Sequence, residues 1–138
     1  MKDNCFVDTN ILVYAHTNLE AHKQALAQKL LRNENLIVST HILLELSNVL
    51  SKRILKDWKL TNSIIEETCK YYTVHPVSLS TLQSAFRLAP KYKYSFYDSL
   101  VIASAIESGC SILYSEDMQH HQKIETDLLI VNPFMLSA

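Results

Sequence analysis

The sequence contains one glycine in 138 residues, Gly109. That scarcity excludes whole classes of chemistry. A Walker A loop, a G-x-G-x-x-G turn and a nucleophile elbow each need glycines at fixed spacings. Any phosphate chemistry must therefore rest on side chains or a metal rather than on a glycine-built nest. An excess of positive charge is missing too. Thirteen Lys and Arg stand against fourteen Asp and Glu, a net charge of −1, whereas a strong sequence-independent nucleic-acid binder carries a large basic excess. Local basic patches and metal-assisted nuclease chemistry stay open. No apolar run approaches the ~18 residues that suggest a membrane span. The N-terminal MKDNCFVDTNILVY has early acids and an interrupted apolar run, unlike a secretory leader. Cysteines are few: Cys5, Cys69 and Cys110, with no C-x-x-C and no zinc-like spacing. Each sits in an apolar stretch, which predicts buried free thiols in a reducing, cytoplasmic compartment.

What is present alternates. Cys5-Phe6-Val7 and Leu36-Ile37-Val38 are short apolar runs that read as buried strands. Helical stretches follow at 10–15 and 19–32, with Asp8, Thr9 or Asn10 capping the first. Residues 41–55 form the clearest helix, with Ser39 or Thr40 as its cap. Ile42, Leu43, Leu46, Val49, Leu50 and Ile54 share one arc at 100° per residue. Ser63/Glu66 and Ser80/Gln83 have capping-box spacing, for helices ending near Tyr72 and Ala89-Pro90. Residues 74–77 read as an edge strand, because Pro76 cannot donate to a central ladder. Residues 96–108 are apolar nearly all round, a buried helix closed by Gly109. Strands at 111–114 and 128–131 complete the pattern. It is that of one α/β domain with a mainly parallel sheet over residues 1–138. Ligands of such sheets lie at the carboxyl ends of strands.

Acids are found where that rule directs attention. Asp8 follows the first strand, and Glu116-Asp117 follow the strand at 111–114. Glu45 lies at the edge of the apolar arc of its helix, and Asp98 in the first turn of the buried helix. An acid near a buried face is costly unless paired, hydrogen-bonded or metal-bound. No matching set of buried cations is visible, so Mg²⁺ or Mn²⁺ with oxygen ligands is the natural occupant. Each acid also has a plainer reading. Asp8 and Asp117 suit helix or turn caps, Asp98 suits a helix dipole, and Glu45 suits a surface pair with Lys52 or Arg53.

The successive segments FVDTNILVY, HILLELSNVL and SFYDSLVIASAIESGCSILYSEDMQH resemble the motifs of PIN-domain ribonucleases, the VapC-type toxins of type II toxin–antitoxin pairs in particular. The resemblance runs from Phe6 to the IVNPF at 130–134. It implies a three-layer α/β/α domain with a mainly parallel central sheet. The family's acidic quartet falls on Asp8, Glu45, Asp98 and Asp117, with Asn10 and Ser115 as supports. It further implies an Mg²⁺- or Mn²⁺-dependent endoribonuclease leaving 5′-phosphate and 3′-hydroxyl ends, on structured RNA such as tRNA. Asp8, Asp98 and Asp117 would take the metal. A cognate antitoxin, a homodimer and no membrane partner complete the implied picture. One departure follows Asp117, where His120-His121 occupies a region in which many relatives carry glycine.

Other features have two readings each. Lys91-Tyr92-Lys93-Tyr94-Ser95-Phe96-Tyr97 interleaves cations and aromatics just before Asp98, which suits backbone neutralisation plus base stacking on single-stranded RNA and makes Lys91, Lys93 and Tyr94 candidate RNA contacts. The alternative is a solvated loop with core-facing tyrosines. Trp58 reads as an anchor between helices. The competing function is a catalytically inactive PIN-like or receiver-like binding module. A receiver needs paired acids after its first strand, and Asp8 has none beside it. A D-x-D phosphomonoesterase motif is also lacking.

Overall fold

A computed structural model describes residues 3–32 and 35–135. The single-domain reading over 1–138 extends at both ends beyond these residues. The chain alternates as read: β1 (Cys5–Val7), α1 (Thr9–His16), α2 (Ala21–Leu30), β2 (Leu36–Ser39) and α3 (Thr40–Val49). Then come α4 (Trp58–Tyr71), β3 (Thr73–His75), α5 (Leu79–Tyr92), α6 (Phe96–Glu107), β4 (Ile112–Tyr114), β5 (Lys123–Ile124) and β6 (Leu128–Val131). The six strands form one sheet in the order β3-β2-β1-β4-β6-β5. All neighbours pair in parallel except β5 with β6.

The order itself explains the layers. From β1 the chain steps outward to β2 and β3, then returns across them to β4. Crossovers between parallel strands are right-handed. The outward and the returning crossovers therefore cover opposite faces. The packing agrees: α1 lies against α2 and α3, α3 against α4, and α5 against α6. The result is a three-layer α/β/α domain. The strands buried on both faces read as continuous apolar runs, and Phe6, Val7, Val38, Leu113 and Ile130 are fully buried. Helix α6 buries every residue from Ser99 to Ala105, which is why its sequence shows no polar stripe.

Between β1 and β4 the strand order reverses. The crevice at the carboxyl ends of those two strands is the topological switch point, where ligands of such sheets bind. Asp8 directly follows β1, and Ser115, Glu116 and Asp117 directly follow β4.

Several local expectations are corrected. Asp57, not Ser63, caps α4: the Leu60 N–H donates to Asp57 Oδ1 at 3.0 Å. Ser63 lies a turn inside the helix, and its hydroxyl donates to the Lys59 carbonyl. A good acceptor earlier in the chain starts the helix first. Likewise the capping box of α5 is Ser78 with Thr81, two residues ahead of the expected pair. Pro90 does not end α5. It sits in the last turn, where its missing N–H forfeits one bond, and Lys93 in the left-handed region closes the helix. The helix expected over 41–55 widens at Leu50–Ile54 into a π turn, in which the Leu55 N–H donates to the Leu50 carbonyl. Strand β3 stops at His75, one residue before the proline. The short β5 was not anticipated; two residues give no readable alternation.

Cys5 and Cys110 are buried free thiols, but Cys69 is exposed. The buried face of α4 runs through Thr61, Ile64 and Thr68, and Cys69 falls one residue past it. Trp58 is 76% exposed at the start of α4 and anchors nothing.

Gly109 has φ +76° and follows the last turn of α6. Its N–H donates to the Ile106 carbonyl, and the Cys110 N–H to Ala105. A Cβ at this position would meet no atom within 4 Å. Gly109→Ala should therefore cost only the left-handed backbone penalty, about 1–2 kcal/mol, and no steric term. A shifted denaturation midpoint at constant slope checks this. A larger loss would show that the turn tolerates no side chain at all.

Candidate active site

Asp8 is the N-cap of α1. Its Oδ1 accepts from the Thr9 N–H at 2.8 Å, and its Oδ2 from the Ser115 hydroxyl at 3.0 Å. Ser115 is fully buried, so the carboxylate is held from the β4 side as well as by its own helix. The Thr9 hydroxyl turns the other way and donates to Glu45 Oε1 at 3.0 Å. This ties α3 to the start of α1. Asn10, next along, donates from Nδ2 to Asp117 Oδ2 at 2.8 Å. The D-T-N triplet thus makes two contacts to the segment after β4, through Asp8 and Asn10, and one to α3, through Thr9. Asp98 enters from the opposite layer, in the first turn of α6, with its N–H capped by Ser95 Oγ at 3.1 Å.

Asp8, Thr9, Asn10, Glu45, Tyr97, Asp98, Val101 and Asp117 line one small cleft of about 90 Å³. The topology brings together acids that are 37 to 109 positions apart from Asp8 in the chain. Burial first, and repulsion second, show in the acidities of Asp8 and Asp98. Burial pushes Asp8 up to about 6; the Thr9 and Ser115 donors pull against this, and Glu45 and Asp98 push further up. Asp98 is also raised, first by burial, then by Asp117 and Glu45 against the Ser95 bond.

Among the described residues, no lysine or arginine is ion-paired with these acids. Among the described residues the salt bridges go elsewhere, Lys23 to Glu20 and Glu116 and Arg87 and Lys91 to Glu125. Only His41 approaches, with Nδ1 3.7 Å from Glu45 Oε1. The donor set is all oxygen and anionic, which suits a hard divalent cation such as Mg²⁺. Among the described residues, however, no three acidic, histidine or cysteine groups already close around one point. The carboxylates line the cleft without being drawn in to coordination distance.

A family model for the PIN domain matches residues 5–125. The chain belongs to the PIN domain family. Nothing among curated proteins matches the sequence. Among solved structures it is similar to VapC20 of Mycobacterium tuberculosis, a Sarcin-Ricin loop cleaving toxin. The TM-score is 0.69 at 19% identity, covering 82% of this chain and 89% of that one. A chain of a toxin–antitoxin complex from Klebsiella pneumoniae matches with TM-score 0.71 at 17% identity, over 94% of this chain and 97% of that one. A chain of VapBC2 from Rickettsia felis, bound to a promoter DNA fragment, matches with TM-score 0.67 at 19% identity, over 91% and 96%. At such identities the likeness establishes a shared fold. No helix of this PIN domain, among the described residues, is long and apolar enough to cross a membrane.

Some residues singled out in the sequence lie outside the cleft lining. Glu116, adjacent to Asp117, points elsewhere. It accepts from the Tyr14 hydroxyl at 2.7 Å and is ion-paired with Lys23. Lys91 and the Tyr92 hydroxyl both hold Glu125, each at 2.7 Å. The part-buried Tyr94 hydroxyl donates to Gln122 and accepts from the Gln119 N–H. Lys93 is the left-handed cap of α5. The segment expected to carry RNA contacts thus bolts α5 to the β5 hairpin.

The histidine pair has a structural account. His121 adopts φ +67°, the conformation for which glycine is the easy choice. Its ring stacks on His120 at 3.6 Å between centroids. His120 Nδ1 accepts from the Asn132 N–H at 2.9 Å, bracing the loop after β4 to the end of β6.

Sequence reasoning passed over His41, and it placed Thr9 and Tyr97 in segments of interest without giving either a place in the cleft. Thr9 was legible only as a possible cap, since its bond to Glu45 spans 36 residues. His41 and Glu45 lie four apart on α3, a spacing that does place them together. Tyr97 sat in an aromatic run read as core-facing, yet it is 63% exposed.

Proposed function

We propose that this PIN domain is a divalent-metal-dependent endoribonuclease and the toxin of a toxin–antitoxin pair. The observation that carries the reading is the cleft at the switch point, where Asp8, Glu45, Asp98 and Asp117 converge with no lysine or arginine ion-paired to them among the described residues. Similarity in fold to a Sarcin-Ricin loop cleaving toxin supports RNA as the substrate, and similarity to a chain of a toxin–antitoxin complex supports the toxin role.

Asp8 and Asp98, from opposite layers, would hold the cation, with Asp117 as a further ligand. A bound Mg²⁺ would supply Lewis acidity, lower the pKa of water and neutralise charge building on the phosphate. Ser115 and Thr9 each occupy one lone pair on Asp8, fixing its plane while leaving both oxygens able to accept again. Glu45 has one oxygen engaged by Thr9. Its free oxygen would orient the attacking water, or bind the metal through a water. Asn10 orients Asp117 in the same way. Hydrolysis on this scheme leaves 5′-phosphate and 3′-hydroxyl ends.

The uncompensated acids also define the partner. An antitoxin that inserts a basic side chain among them would silence the site by supplying the missing cation. A homodimer and a cytoplasmic setting belong to the same proposal.

The test is direct. The purified chain, with Mg²⁺ or Mn²⁺, is incubated with tRNA, ribosomal RNA and unstructured RNA, and the fragment ends are sequenced. Discrete internal cuts bearing 5′-phosphates, abolished by chelator, are the expected result. A folded chain that cuts none of the three with either metal would leave the inactive binding module as the better reading.

A further inference from the structure

Among the exposed large side chains, Tyr97 is the one on the wall of the acidic cleft: a large ring, 63% exposed. Its orientation is fixed. The ring lies flat on His41, with 5.3 Å between centroids and 4° between planes. The neighbouring Phe96 ring stands at 69° to it, with 5.7 Å between centroids. His41 is only 14% exposed, so it backs the stack from the protein side. With one face on His41 and most of the residue exposed, the second face of Tyr97 is open to solvent. Phe96 in turn touches the exposed Phe86 at 5.0 Å, extending the aromatic row away from the acids along α5.

Two further facts give this surface a meaning. Proteins that hold single-stranded nucleic acid combine a basic groove with aromatic platforms. The cleft lining here contains no Lys or Arg, and the chain as a whole is at −1, so the basic half of that pair is weak. Aromatic stacking is independent of charge and attracts any base. An oriented ring also loses little freedom when a base lands on it.

We propose that Tyr97, held flat by His41, is a stacking platform for the base of a nucleotide adjacent to the scissile phosphate, in a single-stranded stretch of RNA. The inference rests on the reading of the cleft as a phosphodiesterase site. Tyr97 is then a substrate-binding residue that sets position and affinity, with no part in proton transfer. A second copy of the chain is the other possible cover for an exposed aromatic row. Seated on Tyr97 it would close the mouth of the cleft, which favours the base.

The experiment uses single-stranded RNA oligonucleotides with 2-aminopurine at successive positions, bound to the full chain carrying Asp8→Asn to prevent cleavage. One position should be quenched on binding. Adding Tyr97→Phe should keep both the quenching and the affinity. Adding Tyr97→Leu should abolish the quenching and weaken binding by roughly five- to a hundredfold, the range for loss of one base–aromatic stack. It should leave the slope of affinity against salt unchanged, because no phosphate contact is lost. In the parent chain Tyr97→Leu should raise KM more than it lowers kcat. Tyr97 is exposed, so each Tyr97 substitution should keep the melting temperature of the chain into which it is introduced, parent or Asp8→Asn. RNA binding and cleavage that Tyr97→Leu leaves untouched would overturn the platform while sparing the nuclease reading. A chain that neither binds nor cuts any RNA would overturn both. A shift from dimer to monomer in Tyr97→Leu, seen by sedimentation, would assign the ring to an interface between copies and overturn the proposal.

Discussion

Asp8→Asn should yield a metal-free protein that is more stable than the parent at neutral pH and no longer cuts RNA. The two halves of this result have one cause. Asp8 titrates near 6 in the folded chain, against 3.8 for an unperturbed carboxyl, because burial and the neighbouring Glu45 and Asp98 disfavour its charge. A folded pKa above the unfolded one means that the folded state binds the proton more tightly. Folding is favoured by this group at low pH, and the benefit fades as pH rises from about 4 through 6. Above pH 6 the ionised Asp8 is a standing penalty, at most about 3 kcal/mol and more realistically 1–2 for a part-buried group. Asparagine removes the charge and keeps the shape. Its amide oxygen still accepts from Thr9, it is a good N-cap, and the Ser115 hydroxyl rotates to accept from the new NH₂. The gain should be absent below pH 4, where the parent carboxyl is neutral in both states. The stability difference measured against pH reports Asp8 together with its coupling to Glu45 and Asp98. Cleavage meanwhile should fall on the order of a thousandfold or more, the several kcal/mol that carboxylate-held metal supplies. An Asp8 that serves only as a helix cap predicts unchanged cleavage, and that outcome would sink the assignment.

This opposition between stability and function also separates what the sequence made legible from what it hid. The strands were readable because parallel strands buried on two faces are continuous apolar runs. The position of Asp8 after CFV and of Asp117 after SILY followed from that alone. Glu45 and Asp98 were noticeable because a charge amid apolar residues is costly. Their convergence, by contrast, depends on the strand order, since only the reversal between β1 and β4 puts Asp8 and Asp117 side by side. The contacts that support the acids were hidden for the same reason. Ser115 reaching Asp8 spans 107 residues, and no periodicity reports such a pair. Capping boxes failed twice, at Ser63 and Ser80, because the spacing recurs by chance in a chain rich in Ser, Thr and Glu. What decides between candidates is which cap the packed helix can use. The Lys91–Tyr94 run misled for an opposite reason. Its cations and rings are real features, but Glu125 and Gln122, more than 25 residues on, engage Lys91, Tyr92 and Tyr94.

Mg²⁺ should raise the melting temperature of the parent at pH 8, do little at pH 5, and leave Asp8→Asn unmoved at both. Binding to the folded state alone stabilises by RT ln(1 + [L]/Kd), about 1.4 kcal/mol at ten times Kd. For a domain of this size that is roughly 3–8 °C. The pH dependence follows from the same carboxyl. A metal ligand must be ionised, so below about 6 each metal ion bound at Asp8 must displace a proton, and apparent affinity falls roughly tenfold per pH unit. Metal and asparagine are two ways of relieving one repulsion, so their effects should not add. The parent with Mg²⁺ and the variant without it should approach similar stability, and the double-treated sample should gain nothing more. Scanning fluorimetry on the four combinations at both pH values measures this. Equal Mg²⁺ shifts in parent and variant would place the cation away from Asp8. No shift in either at millimolar Mg²⁺ and pH 8 would remove the metal from the cleft, and with it the account of why four acids gather there with no lysine or arginine ion-paired to them among the described residues.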